Sequence, residues 1–266
     1  MAWMILAAWS WPAHAHDGIA GQIARLTAQI KNAPADASLR LRRGELHRVN
    51  RQWREALADL DRAKQLDASL RRVDLARAHV FLDSSRHAEA VAAADRYLSH
   101  DPDHLDALLI RARARVILRR FTAAADDFTR IIRSRPLPDF YLERARAQRA
   151  SGPDGLAPAL RGLDQGLARI GSIVTVELEA LDLERVLRQF DRAIARIDRL
   201  AAQSARKEQW LARRGAVLEQ AGRRDEARAS YAAAIAAAEQ LPARTQRTRA
   251  TQQLLTALRA DLDRLN

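Results

Sequence analysis

Small side chains recur along this chain at a nearly constant interval. Ala56, Ala90, Ala124, Ala159, Ala193 and Ala227 stand 34, 34, 35, 34 and 34 residues apart. Four residues after each comes a second, mostly bulky column of Leu60, Ala94, Phe128, Leu163, Ile197 and Tyr231. Three residues before most of them lies a ring, at Trp53, His87, Phe121 and Phe190, while Leu156 and Arg224 take the other two places. Twelve before lie Gly44, Ala78, Ala112, Leu181 and Gly215. Within a period the apolar residues follow i, i+4, i+7 spacing, as in Ala56, Leu60, Ala63 and in Ala124, Phe128, Ile131, which puts them on one stripe of an amphipathic helix. Pro34, Pro102 and Pro136 punctuate the same grid. Each period is therefore predicted to hold two antiparallel helices, with the small residues letting their backbones approach. One pair alone cannot hide its stripe from water, so neighbouring pairs must stack.

These columns resemble the tetratricopeptide repeat family, whose unit carries small, aromatic, small and bulky residues and a terminal proline at these offsets. The resemblance covers residues 37 to 241, as units 37–70, 71–104, 105–138, 139–173, 174–207 and 208–241. It implies an all-α fold, a right-handed α-solenoid of antiparallel helix pairs. The fourth unit departs from the pattern around the turn-forming run Gly152-Pro153-Asp154-Gly155. Its first helix is expected to slip by one residue, because the pair seen as Arg43-Gly44, Arg77-Ala78, Arg111-Ala112 and Arg214-Gly215 recurs there as Arg144-Ala145. A capping helix is expected within 16–36, where Ile19, Ile23, Leu26 and Ile30 hold helical spacing. Another is expected within 242–266, with Leu254, Leu255, Leu258, Leu262 and Leu265 on one side.

Residues 1–15 read differently. An apolar run from Trp3 to Trp9 is followed by Pro12 and the small-residue pattern Ala13-His14-Ala15, which reads as an export leader cut before His16, although the usual positive n-region is missing. The expected location is the periplasm, or the cytoplasm if this stretch is not a leader. No other run approaches the ~20 apolar residues a spanning helix needs.

Composition narrows the chemistry. The 266 residues include no Cys, which excludes a disulfide scaffold, a Cys-ligated zinc site and a thiol nucleophile. The net charge of +12 invites a nucleic-acid reading. However, 42 of the 45 basic residues are arginines dispersed among alanines and aspartates, which fits a charged helical surface better than a phosphate-binding tract. No phosphate-binding glycine loop, HExxH or GxSxG motif is present, and adjacent acids such as Asp126-Asp127 point about 100° apart on a helix, so no catalytic residues are assigned.

The expected role is that of a non-catalytic protein–protein interaction scaffold. The resemblance implies that first helices line a concave groove in which certain columns meet a bound peptide. On this chain they give the apolar residues Leu41, Leu75, Leu109, Leu142 and Leu178, flanked by Arg72, Asp106, Glu45, His79, Arg113, Asp182, Arg48, Leu82 and Val116. The expected partner is a peptide or amphipathic helix of another protein, apolar at its anchors and acidic at its margins. The lysine and asparagine clamp of the family's chaperone-binding members is missing from these columns. Packing between repeats is an equal reading of the leucines, and the alternative role is a structural subunit that works through surfaces outside the groove. A further arginine column, Arg43, Arg77, Arg111, Arg144 and Arg214, reads either as an anion ladder or as packing against the recurrent acids Glu55, Glu89 and Glu226. No cofactor is assigned. A minor alternative is periplasmic metal handling, through His100-Asp101-Pro102-Asp103-His104 or through a histidine exposed by leader cleavage. Against the first, Asp-Pro is an ordinary repeat ending and Asp103 is suited to cap the next helix.

Overall fold

A computed structural model describes residues 18–265. The expected leader, with His14, and His16 just after it lie outside them. The described residues form fifteen α-helices. They divide into two compact units, whose boundary in the sequence lies between Arg120 and Phe121, inside the third period of the pattern.

The first unit contains α1 (Ile19–Asn32), α2 (Ala37–Val49), α3 (Trp53–Leu66), α4 (Arg72–Asp83), α5 (His87–Leu98) and α6 (Leu105–Ile117). Consecutive helices pack on one another, and the first helices α2, α4 and α6 are also neighbours. The small columns explain the close fit. Ala56, Leu60 and Ala63 are completely buried, with Leu41, Val73 and Val80 against them, and Trp53 lies at the edge of the cluster. A methyl group on Gly44 would come within 3.2 Å of the Ala56 carbonyl. At the next layer Ala78, Ala90 and Ala94 are the buried small residues. Each buried Leu or Val contributes roughly 1.5–3 kcal/mol, so a stripe of three or four outweighs the weak intrinsic stability of a helix this short.

The second unit contains α7 (Phe121–Ser134), α8 (Pro138–Ala150), α9 (Pro153–Ile170), α10 (Val174–Val186), α11 (Phe190–Gln203), α12 (Lys207–Gln220), α13 (Arg224–Glu239), the single turn α14 (Ala243–Gln246) and α15 (Arg249–Arg264). Leu181, Ile197, Leu218 and Tyr231 join its main core, and α15 closes it by packing Leu258 and Leu265 onto that cluster, mostly against α13. The fourth pair is built differently from the rest. Prolines stand at the start of both α8 and α9, where a missing N–H costs nothing, and α9 runs on for 18 residues. Arg144 is buried and donates to the Gly162 carbonyl at 3.0 Å, so Gly162 and Gly166 on α9 make room for Arg144 and Tyr141 of α8.

Five of the six turns between the two helices of a pair share one device. Arg51, Ser85, Arg119, Arg188 and Gly222 have φ between 55° and 78°, in the left-handed region. The residue after each donates its N–H five residues back: Gln52 to His47, Arg86 to Phe81, Arg120 to Arg115, Gln189 to Glu184 and Arg223 to Leu218, at 2.7 to 2.9 Å. This is the Schellman closure of a helix C-terminus. It fixes the direction in which the second helix leaves. Helix starts are less uniform. Asp36 caps α2 by accepting from the Ser38 and Leu39 N–H groups at 2.8 and 3.2 Å. At α6 the cap is His104, whose Nδ1 accepts from the Ala107 N–H at 3.3 Å, and not Asp103 as the sequence suggested.

Candidate functional site

The first-helix face of each unit carries the residues singled out by sequence, and its geometry can be built up from the leucines. Leu41 and Leu142 are only 3% and 8% exposed. These two are packing residues, sealed by their neighbours, and the expectation that they meet a partner is corrected. Leu75, Leu109 and Leu178 are half-buried, as are Leu82 and Val116. Leu75 and Leu82 rest on the Ala78, Ala90 and Ile110 cluster of the first unit, and Leu178 rests on the core of the second. Each of these three therefore has one side in the fold and one side in solvent.

Charged residues of the same face bind one another. In the first unit Arg72 lies 3.5 Å from Glu45, His79 is 2.7 Å from Asp106, and Arg48 is 2.5 Å from Asp83. All three pairs join a first helix to the first helix of the next pair. The His79 bond is the largest influence on Asp106 and holds its carboxyl below the ordinary carboxylate range against the opposing effect of burial. In the second unit Arg149 donates to Asp182 at 2.6 Å, and Arg185 donates to the Gln220 side-chain carbonyl at 2.9 Å. Arg113 is exposed on α6. Arg48 and Arg72, expected to grip an incoming acid, are thus already engaged by acids of the chain itself. The sequence held a signal for this, since Glu45 with Arg72 and His79 with Asp106 are both 27 residues apart.

The second arginine column is resolved in favour of packing, but with other partners than expected. Arg43 forms a two-pronged bond to Asp59, 2.7 Å on each side, and its third nitrogen reaches Thr27 of α1 at 2.9 Å. Arg77 pairs with Asp61, Arg111 with Asp95 at 2.6 Å, and Arg214 with Asp198 at 2.9 Å. Glu89 and Glu226 instead bind Arg86 and Arg223 within their own helix starts. Each acid used lies one or more turns further along the second helix, where it faces the neighbouring first helix.

One charged cluster was not anticipated. Arg196 on α11 is 3% exposed and bonds Glu184 at 2.8 and 3.0 Å, Asp164 at 2.6 Å, and Glu177. Burial opposes its charge, but these bonds together outweigh it and raise its affinity for the proton. With all three guanidinium nitrogens bonded, the cluster reads as a structural tie between α9, α10 and α11. Among the described residues no group of three or more His, Cys, Asp or Glu converges as a metal site, and no helix is long and apolar enough to cross a membrane. His104, one of the proposed ligands, is spent on capping α6 and stacks edge-on to Tyr97 at 4.8 Å.

Residues 75–137 match the family model described as tetratricopeptide repeat. Among solved structures, a tetratricopeptide repeat protein from Parabacteroides merdae ATCC 43184 is similar at 17% identity, over 91% of this chain and 92% of that one, with a TM-score of 0.52. A chain in the structure of Naa15/Naa10 bound to HypK-THB is similar at 14% identity over 91% of this chain and 36% of that one, with a TM-score of 0.61. MamA protein is similar at 15% identity over 64% of this chain and 92% of that one, with a TM-score of 0.50. No curated protein matches the sequence. At these identities the likeness is one of fold: an all-α array of antiparallel helix pairs of the tetratricopeptide type.

Proposed function

We propose that the chain is a non-catalytic scaffold that holds segments of other proteins on the first-helix face of each unit, with Leu75 and Leu109 as apolar anchors in the first unit and Leu178 in the second. The observation that carries this reading is the half-exposure of Leu75 and Leu109 between the Arg72–Glu45 and His79–Asp106 pairs. A residue needed only for packing would be driven further into the core, as Leu41 is. The flanking charges are already compensated, so the partner is held mainly by apolar contact and by hydrogen bonds to the paired groups. The last helix supports the same reading, since α15 packs mostly on the second helix α13. A solved structure similar to this chain, Naa15/Naa10 bound to HypK-THB, is itself a complex.

The test is crosslinking mass spectrometry on native extract with the wild type and with Leu75→Glu plus Leu109→Glu. Crosslinks to α4 and α6 that vanish in the variant, with helicity retained by circular dichroism, support the proposal. Crosslinks that persist through other surfaces favour the alternative of a structural subunit. We further propose that residues 1–15 are an export leader, which N-terminal sequencing of the mature protein checks.

A further inference from the structure

The turns that join the two helices of a pair alternate in chemistry along the chain. The first, third and fifth pairs carry Val49-Asn50-Arg51, Ile117-Leu118-Arg119 and Val186-Leu187-Arg188, spaced 68 and 69 residues apart. The second, fourth and sixth carry Asp83-Ser84-Ser85, Ser151-Gly152 and Gln220-Ala221-Gly222 at the same places. Every odd turn ends its first helix on a β-branched aliphatic residue and puts arginine in the left-handed position. An aromatic follows two residues later: Trp53, Phe121 and Phe190. Neither choice serves the fold. Val49, Ile117 and Val186 are 54%, 55% and 48% exposed, and an arginine at φ 55° to 58° is strained where the sixth turn uses glycine.

In the first unit these residues build an open cleft. Arg48, Val49, Arg51, Trp53 and Asp83 line it, around a volume of about 660 Å³, within the range of ligand pockets. Arg48 is neutralised by Asp83 at 2.5 Å. Arg51 and the neighbouring Arg54 make no side-chain ion pair or hydrogen bond among the described residues, and neither do Arg119 and Arg120 at the third turn. The second turn differs, with Arg86 held by Glu89 at 3.0 Å. The fifth turn repeats the first within its own unit: Arg185 binds Gln220 at 2.9 Å, as Arg48 binds Asp83, and Arg188 lies 5.6 Å from the centre of the Phe190 ring.

We propose that the first and fifth turns, one in each unit, are docking stations for a partner-protein segment in which a bulky apolar side chain is followed by an aspartate or glutamate. The apolar group lies against Trp53 and Val49, and the carboxylate takes the unpaired Arg51 guanidinium. This surface shares Arg48 and Asp83 with the first-helix face but needs none of its half-exposed leucines, so the inference stands without that reading. Charge decides between occupants. A second copy of the chain would bring one cationic turn against another. A nucleic acid would bring phosphates against the Asp83 carboxylate, and Val49 has no use to it.

The experiment uses the full chain and short fluorescent peptides containing Leu-Asp, Phe-Asp or Trp-Glu, each with a matched amide peptide carrying Asn or Gln. Fluorescence anisotropy is expected to show binding of the acidic peptides that falls about tenfold or more in the amide versions. It is expected to fall similarly in Arg51→Gly plus Arg188→Gly, which removes both guanidinium groups while suiting the left-handed backbone, so that the fold is kept. Val49→Asp plus Val186→Asp is expected to weaken the same peptides. The proposal is overturned if no acidic peptide binds, if acidic and amide peptides bind alike, or if the glycine variant binds as the wild type does. It is also overturned if oligothymidylate displaces the peptides at lower concentration than they bind, or if the aspartate variant changes the oligomeric state by light scattering.

Discussion

Arg196 and Glu184 face each other across α11 and α10 with both nitrogen-to-oxygen contacts made, at 2.8 and 3.0 Å, and with only 3% and 1% of the two residues exposed. A charge pair so enclosed is costly to form and costlier to break, because the partner left behind has no water to turn to. Arg196→Met strands Glu184 and Glu177 together. The expected loss is ~3–5 kcal/mol of stability, read as a lower urea midpoint, whereas Arg192→Met at the exposed rim of the cluster should cost no more than ~1 kcal/mol. Equal losses from the two variants would contradict the structural role given to Arg196.

Backbone strain at the turns can be relieved one residue at a time. An L-residue in the left-handed region costs ~1–2 kcal/mol, and glycine recovers this at an entropic cost of ~0.5–1 kcal/mol. Arg119→Gly, at φ 58°, should therefore stabilise the protein slightly, and Gly222→Ala, at φ 78°, should destabilise it. Thermal unfolding followed by circular dichroism gives the two signs. A stability loss from Arg119→Gly would mean that its side chain does more for the fold than its contacts indicate.

Two glycines on equivalent first-helix positions face different neighbours. At Gly44 an added methyl is tight against the Leu60 Cγ at 3.1 Å and the Ala56 carbonyl oxygen at 3.2 Å, while at Gly215 it collides with the Tyr231 ring at 2.4 Å. That ring is held in place by a bond from its hydroxyl to Glu219 at 3.1 Å. Gly215→Ala should cost ~1–3 kcal/mol as an overpacked core does, and Gly44→Ala distinctly less. Gly215→Ala combined with Tyr231→Leu should recover most of the loss.

Tyr231 also predicts behaviour in alkali. Burial, reinforced by the bond to the Glu219 carboxylate, pushes its phenol from an ordinary value of 10.0 up to about 12. The folded chain therefore holds this proton more tightly than the unfolded chain. Its contribution to stability is complete below pH 10 and is lost as the pH rises through 10 toward 12. Urea midpoints of the wild type should fall across this window relative to Tyr231→Phe. A parallel course of the two proteins would show that the phenol titrates normally.

Which parts of this molecule are legible in its sequence follows from what repeats. Ala56, Leu60, Gly44 and their counterparts are fixed by close approach of two backbones, a constraint met again in every pair, so it leaves a column. The inner leucines share a column too, yet Leu41 is buried and Leu75 is not, because exposure depends on what the neighbouring helices bring. Arginine partners were least readable. A guanidinium on a long stem can reach acids on several turns, and only the packed arrangement selects Asp59 for Arg43 and Asp95 for Arg111 over the more regular glutamates. Left-handed arginines at 51, 119 and 188 carried no glycine to announce them, although their shared place in the period is a usable signal.

The ties between successive first helices also give the array a reading direction. Glu45 meets Arg72 and Arg48 meets Asp83 only because the second pair follows the first. Were residues 71–104 excised and the ends rejoined, the small-residue columns would still mate, but Glu45 would confront Asp106 and Arg48 would confront Ile117. Modules that look interchangeable by shape are therefore addressed by charge, and a shuffled or shortened version of this chain would carry repulsion at its new seams.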